Sequence, residues 1–338
     1  MPAKTAFLPL ASGFPDLVGH HRRLLDDDAR TGAFLRAIAE VVRPGDVVAD
    51  LGAGTGVLAF AARRAGASRV YAIERGPIAA VGEAIGRENG IDGVTWIEKP
   101  SREVVLREDV DVIVSECLGV LGAGGTMMQA VVDLRERHLR PGGTVIPNAV
   151  SIHAAPVTSP ADHRWIEVWS KRRHGLSWGA AAELARNNMY NTVIGREALV
   201  APPLPIATID LARGTFDGRV RGGGETTAKR AATIHGFAAW FDAELAPGVR
   251  LSTAPGKRPT VWRQVFLPLE TPVRVRRGQS IHLELVMQPA PDPRDVAYLD
   301  WHGEIAGKAF ARSTRWSYPR GGIIASPRAD RRSLRARS

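Results

Sequence analysis

The chain reads as an α/β protein in which a parallel sheet is followed by an antiparallel β region. Between about residues 46 and 147, short apolar runs alternate with helical stretches, which implies a sheet covered by helices on both faces. After Pro147 the texture changes to runs of alternating apolar positions separated by Pro, Gly or Asp turns, as in an antiparallel sandwich or barrel. The implied organisation is an N-terminal helical segment over 1–45, an α/β domain over 46–147, a β-barrel-like domain over 148–320 and a basic, solvated tail over 321–338.

Each element has a local reason. Over 16–42, Leu24, Leu25, Phe34, Leu35 and Ile38 recur at three- and four-residue steps, which predicts one helix stopped by Pro44-Gly45. Strands are predicted at 47–51, 69–73, 94–97, 111–115 and 144–147, with helices over 55–65, 77–88 and 126–138. In the second half, strands are predicted at 150–157, 204–211, 233–244, 261–268, 272–275 and 280–287. Residues 161–190 place Trp165, Trp169, Trp178 and Leu184 among charges. Two readings stand for them: packing into a core, or an arm that docks on another subunit.

Composition narrows the function classes. The 338 residues are 44% hydrophobic and 24% charged, and no apolar run approaches the roughly 18 residues needed to cross a bilayer. Only Lys4 precedes a short, proline-interrupted apolar stretch, so no signal peptide is expected. The single cysteine, Cys117, excludes an internal disulfide and suits a reducing cytoplasm. No Cys/His cluster has metal-ligand spacing, so no metal is expected. The net charge is +10, and Arg328, Arg331, Arg332, Arg335 and Arg337 crowd the end of the chain. Without an aromatic and basic platform, nucleic acid is not the expected partner, and an Arg- or Lys-rich peptide would be repelled at long range.

The most informative segment is Val48-Ala-Asp50-Leu-Gly52-Ala53-Gly54-Thr55-Gly56. An apolar strand runs into a turn with glycines at alternate positions, where no Cβ blocks the approach of backbone N–H groups to a ligand. A dinucleotide-binding turn spaces its glycines G-x-G-x-x-G, which argues against a nicotinamide oxidoreductase. About 20 residues beyond the glycines, Arg69-Val-Tyr-Ala-Ile-Glu74 ends in a carboxylate suited to two ribose hydroxyls. Glycines, Asp50 and Glu74 together resemble the S-adenosylmethionine (SAM) site of class I methyltransferases. That resemblance implies a Rossmann-like SAM-binding domain ahead of the antiparallel β-barrel-like one.

Beyond these motifs, the chain resembles the protein arginine methyltransferase family. The similar segments are His21-Arg-Arg-Leu-Leu-Asp-Asp-Asp-Ala-Arg30-Thr31, Asp50–Gly56 with Glu74, Val110-Asp-Val-Ile-Val-Ser115-Glu116, Leu139–Pro147 and Thr260-Val261-Trp262-Arg-Gln264-Val-Phe266. The resemblance implies that His21 and Arg30 lie near SAM, with Arg30 on the methionyl carboxylate. It places the adenine-contacting stretch at Ser101, Arg102 and Glu103, where Arg102 replaces the usual acid. It also implies a homodimer formed through an arm inserted early in the barrel.

The departures fall where the chemistry lies. The family clamps a guanidinium between two loop glutamates. Glu116 fits the first, but counting along places Gly125 at the second. Cys117 stands where the family has Trp, Val261 replaces the loop histidine, and the N-terminal segment lacks the covering tyrosines. A buried guanidinium with one carboxylate partner keeps an unsatisfied donor edge, costing roughly 1–3 kcal/mol. The expectation is a SAM-dependent methyltransferase with Glu116 as base or anchor, transferring a methyl group to an N or O nucleophile other than an ordinary peptidyl arginine. The acceptor could be a small molecule or a protein side chain. The alternative is a catalytically degenerate SAM-binding protein whose β domain docks a partner. Cys117 and Trp262 read as packing residues, and His153, His235, His282 and His302 are assigned no role.

Overall fold

The computed structural model describes residues 17–123, 127–289 and 297–317. Gly125 and the basic tail therefore lie outside the described residues. The first helical region is two helices, α1 (Leu17–Leu25) and α2 (Asp28–Val41), not one. The break is local chemistry: Asp27 caps α2, its carboxylate accepting the Arg30 N–H at 3.0 Å. Ala33, Phe34, Ala37 and Ile38 form the buried stripe of α2, and the helix stops shortly before Pro44.

Next come β1 (Val47–Leu51), α3 (Val57–Arg64), β2 (Arg69–Ile73), α4 (Ile78–Glu88), β3 (Val94–Ile97), β4 (Val110–Val114), α5 (Met127–His138) and β5 (Leu139–Ile146). The strands form one parallel sheet in the order β3-β2-β1-β4-β5. The strands at its centre are apolar apart from Asp50 on β1 and Asp111 on β4, because helices cover both faces. Order reverses between β1 and β4, so the ends of β1, β2 and β4 meet at the crevice where such sheets bind ligands.

The remainder comprises β6 (Ala149–Val157), α6 (Pro160–Ile166), α7 (Gly179–Arg186), β7 (Tyr190–Thr192), β8 (Leu204–Asp210), β9 (Val220–Thr227), β10 (Ala232–Ala246), β11 (Val249–Ser252), β12 (Gln264–Val275), β13 (Ser280–Gln288), β14 (Tyr298–Ile305) and β15 (Lys308–Ser313). One antiparallel sheet runs β7-β12-β10-β6-β8 with β11 on β10, and a second runs β15-β14-β13-β9. They face each other in a barrel-like arrangement, tied where Trp301 Nε1 donates to the Pro268 carbonyl at 3.1 Å.

Several strands differ from the sequence expectation. The runs at 261–268 and 272–275 are one strand, β12, whose pairing with β10 skips from Pro268 to Val273 while β10 advances from Gly236 to Ile234. β9 was not expected, because Gly222-Gly223-Gly224 leaves no side chains to alternate. Its reason is close approach: a Cβ on Gly222 would stand 1.8 Å from the Ile206 carbonyl oxygen. The indoles of α6 and the segment after it do not enter the core of this chain, Trp165 being 67% exposed and Trp169 41%.

Candidate functional site

The turn after β1 is built from glycines in the left-handed region, with φ of 78° at Gly52, 55° at Gly54 and 87° at Gly56. Space is as decisive as backbone angle. A Cβ on Gly52 would stand 2.2 Å from Cys117 Sγ, and one on Gly54 would stand 2.9 Å from His21 Cε1. The amides do not point outward as the sequence reading expected. Those of Gly52 and Ala53 both donate to the Ile73 carbonyl, at 2.8 and 3.1 Å, and Gly56 N–H donates to Ala53. The turn is thus pinned to the tip of β2, and what it offers a ligand is a Cβ-free surface rather than a ring of open donors.

Glu74, just beyond β2, completes the turn. Its Oε2 accepts the Gly54 N–H at 3.1 Å and its Oε1 accepts the Gly76 N–H at 2.8 Å. Asp50 is buried on β1, one carboxylate oxygen accepting the Ala59 N–H at 2.9 Å, while Oδ1 has no partner among the described residues. Ala53 is buried and Thr55 half-buried within the same turn.

Glu116 follows β4 and is seated on the guanidinium of Arg30 from α2, an ion pair with both side chains largely buried. Arg30 also donates to the Leu24 carbonyl at 2.7 Å and to Thr31 Oγ1 at 3.2 Å. Its Nε is buried and unpartnered among the described residues. Above it lies Trp262, 5.9 Å from the guanidinium carbon to the ring centroid. Trp262 packs edge-on against Phe241 with its Nε1 donating to the Leu118 carbonyl at 2.8 Å, so it closes the seam between the two halves. Asp27, capping α2 with one oxygen, accepts the Val261 N–H at 2.7 Å with the other.

Electrostatics follow from burial. Burial raises the Glu116 carboxyl to about 7, Asp27 adds to the rise, and Arg30 opposes it. Asp50 is likewise raised to about 7 by burial, with Glu74 and Glu116 contributing and the Ala59 N–H opposing. Burial, His20 and Arg30 lower the His21 imidazole, against the pull of Glu74. Burial pushes the Cys117 thiol up to about 12, which makes it a poor nucleophile and a packing group beneath Gly52. Asp27, Asp50, Glu74 and Glu116 therefore face one guanidinium and one imidazole. Such a surface suits a cation and opposes a pyrophosphate.

The structure brings His21, Arg30, Asp50, Gly52, Ala53, Gly54, Thr55, Gly56, Glu74 and Glu116 into one region. Ser101, Arg102 and Glu103 form a short 3-10 turn after β3. Arg137 donates there to the Ser101 carbonyl at 2.9 Å, and Arg102 and Glu103 are exposed. No hydrogen bond among the described residues joins them to the glycine turn. The role of Asp27 was missed, although Asp27 three residues before Arg30 is the spacing of an N-cap. The reach of Asp27 to Val261 had no sequence signal at all. Among the described residues no cluster of three or more His, Cys, Asp or Glu is arranged to hold a metal.

Residues 148–302 match the arginine methyltransferase oligomerization subdomain, and residues 28–150 match the ribosomal protein L11 methyltransferase (PrmA) family. The chain is 30% identical over 287 residues to protein arginine N-methyltransferase 6 of Danio rerio, covering 80% of this chain and 82% of that one. It is 30% identical over 317 residues to the probable protein arginine N-methyltransferase 6.2 of Oryza sativa subsp. indica, covering 78% and 77%. In fold it is similar to the Trypanosoma brucei PRMT1 enzyme–prozyme heterotetrameric complex with AdoHcy, with a TM-score of 0.79, 24% identity, and 87% and 97% of the two chains covered. It is also similar to Arabidopsis thaliana protein arginine methyltransferase 10, with a TM-score of 0.77, 24% identity, and 88% and 97% covered.

Proposed function

The chain belongs to the protein arginine methyltransferase family, and we propose that it uses SAM to methylate a nitrogen or oxygen nucleophile held against Glu116. The observation that carries this reading is the meeting of the Cβ-free turn at Gly52–Gly56, the carboxylates of Asp50 and Glu74, and the buried Glu116–Arg30 pair at the ends of β1, β2 and β4.

The residues present fit SAM in kind. Arg30 keeps a buried, unpartnered Nε–H, a donor of the type a carboxylate takes, and Asp50 keeps an unpartnered carboxylate oxygen, an acceptor for an ammonium or hydroxyl. Glu74 would hold the ribose, and the excess of carboxylates suits a cationic ligand. When bound, SAM supplies a methyl group on an electrophilic sulfonium, so the protein has chiefly to align and deprotonate the acceptor. Glu116 does both: its ionised form anchors a cationic acceptor or takes its proton. Arg30 fixes the direction of that carboxylate, and Trp262 shields the pair from water.

The acceptor proposed is a small guanidino, amino or hydroxyl compound, or an altered protein side chain. Support comes from the sequence between Glu116 and Asp133, which holds no second carboxylate to clamp the far edge of a guanidinium. The test has two steps. Calorimetry with SAM reads the cofactor site, where Glu74→Ala is expected to weaken binding. Labelled-methyl transfer is then followed to an arginine peptide and to a small-molecule extract, for the protein as it stands and for Gly125→Glu. Transfer to the extract but not the peptide supports the proposal, as does a gain of peptide methylation in Gly125→Glu. Efficient peptide methylation by the unaltered protein overturns the acceptor assignment. SAM binding without any transfer favours a docking role.

A homodimer is part of the same reading. The segment from α6 to α7 lies within the stretch matching the oligomerization subdomain, and it carries exposed Trp165, Trp169 and Leu176 that a second copy would cover.

A further inference from the structure

Away from Glu116, a cavity of about 770 Å³ opens beside the C-terminal end of α2, the end of α5 and the start of β5. Arg30 and Glu40 are ten residues apart on α2, so the cavity sits about 15 Å further along that helix. Four arginines line it, Arg43, Arg135, Arg140 and Arg213, and among the described residues Glu40 is the only acidic one in its wall.

The arginines are not all engaged. Arg140 Nε is held by Asp111 at 2.6 Å. Arg135, with a side chain only 10% exposed, donates to the Leu211 carbonyl at 2.8 Å and meets Glu136 at 3.3 Å. The two remaining residues differ. Asp46 and Asp210 direct their carboxylates to the backbone N–H groups of Arg43 and Arg213, at 2.8 and 2.9 Å. The exposed guanidinium groups of Arg43 and Arg213 have no carboxylate partner among the described residues.

We propose that this cavity binds a small ligand bearing clustered phosphates. Guanidinium forks match phosphate oxygens two by two, and like charges gathered in a concave wall repel one another until a polyanion joins them. The volume is that of a small-molecule site, which runs roughly 300–1,000 Å³, and is more than one phosphate fills. Val41, Leu139 and Pro247 supply an apolar wall for the rest of the ligand. The guanidinium groups of Arg43 and Arg213, without carboxylate partners among the described residues, separate this cavity from the site at Glu116, where the one guanidinium is seated on a carboxylate.

Titration calorimetry with inorganic tripolyphosphate and with ATP, on the full chain at low and at high salt, tests this. Both are expected to bind, more weakly at high salt, and the Arg43→Ala/Arg213→Ala double variant to bind about tenfold or more weakly. Both residues are exposed, so the variant is expected to keep its fold, checked by circular dichroism. Arg22→Ala, an exposed arginine on α1, is expected to change nothing. Equal affinity for the two ligands assigns recognition to the phosphates, and tighter ATP binding adds the apolar wall; either supports the proposal. No heat with either ligand at low salt, or undiminished binding by the double variant, overturns it. So does binding of a single-stranded oligonucleotide where both small phosphates fail.

Discussion

Asp27 and Val261, 234 residues apart, are joined by a 2.7 Å hydrogen bond in which the Val261 N–H donates to Asp27 Oδ2. The same carboxylate caps α2 through the Arg30 N–H. One buried side chain therefore fixes both the start of the helix that carries Arg30 and its distance from the loop that carries Trp262. The contact is made by the backbone N–H of Val261, so the side chain at 261 takes no part in it.

Removing that carboxylate is expected to cost stability at both ends. Asp27→Ala loses a cap and a buried hydrogen bond and leaves the Val261 N–H unsatisfied, for a loss of about 2–3 kcal/mol. Denaturant unfolding measures it. Asp27→Asn, which keeps one acceptor, should fall between the two, and an unchanged midpoint in Asp27→Ala contradicts the role given to this residue.

Glu116 sets a pH profile. Its carboxyl is raised to about 7 by burial, and the ionised form is the one that anchors or deprotonates an acceptor. Methyl transfer should therefore rise as pH climbs through about 7. Glu116→Gln should bind SAM with near-unchanged affinity and lose about 100-fold or more in transfer, because a positioned proton acceptor contributes that much. Full turnover in Glu116→Gln removes the assignment.

Asp50 sets a stability profile of its own. Burial raises its pKa from 3.8 to about 7, so the folded state holds the proton more tightly than the unfolded chain. The contribution favours the fold fully below about pH 4 and is lost as pH rises through about 7. Asp50→Asn, neutral throughout, should exceed the unaltered protein by up to about 4 kcal/mol at pH 8, the gap closing toward pH 4. Chemical denaturation at the two pH values checks the sign.

The arm gives a prediction about mass. Trp165→Asp with Trp169→Asp introduces charge into a surface proposed to be covered by a second copy. Sedimentation should then move from the mass of two chains to that of one, with the circular dichroism spectrum retained. Single-chain sedimentation of the unaltered protein rules out the homodimer.

The parallel sheet was legible because its strands are short apolar runs closed by glycine or proline, and β1, β2 and β3 begin and end at the expected residues. The glycine turn with Asp50 and Glu74 was legible as spacing, though the direction of its amides was not, since that depends on the Ile73 carbonyl of a neighbouring strand. The antiparallel half was legible in part. β6, β8, β10 and β13 alternate, whereas β9 is glycine-rich because two backbones nearly touch, and β14 and β15 carried no recognised signal. Arg30 was placed in the site by resemblance, but its seat on Glu116 joins residues 86 apart and required the fold. Arg43, Arg135, Arg140 and Arg213 are scattered in the chain, and no local pattern announces that they share a cavity.

One buried apolar cluster runs from Phe34 and Ile38 through Val48 and Ile113 to Phe241, Trp262, Leu267 and Trp301 without interruption. The two halves are thus fused by a shared interior rather than joined at a hinge. Transplanting the second half onto another methyltransferase would expose raw hydrophobic faces on both pieces. Any effort to re-engineer what this protein modifies has to work residue by residue around Glu116, within an intact whole.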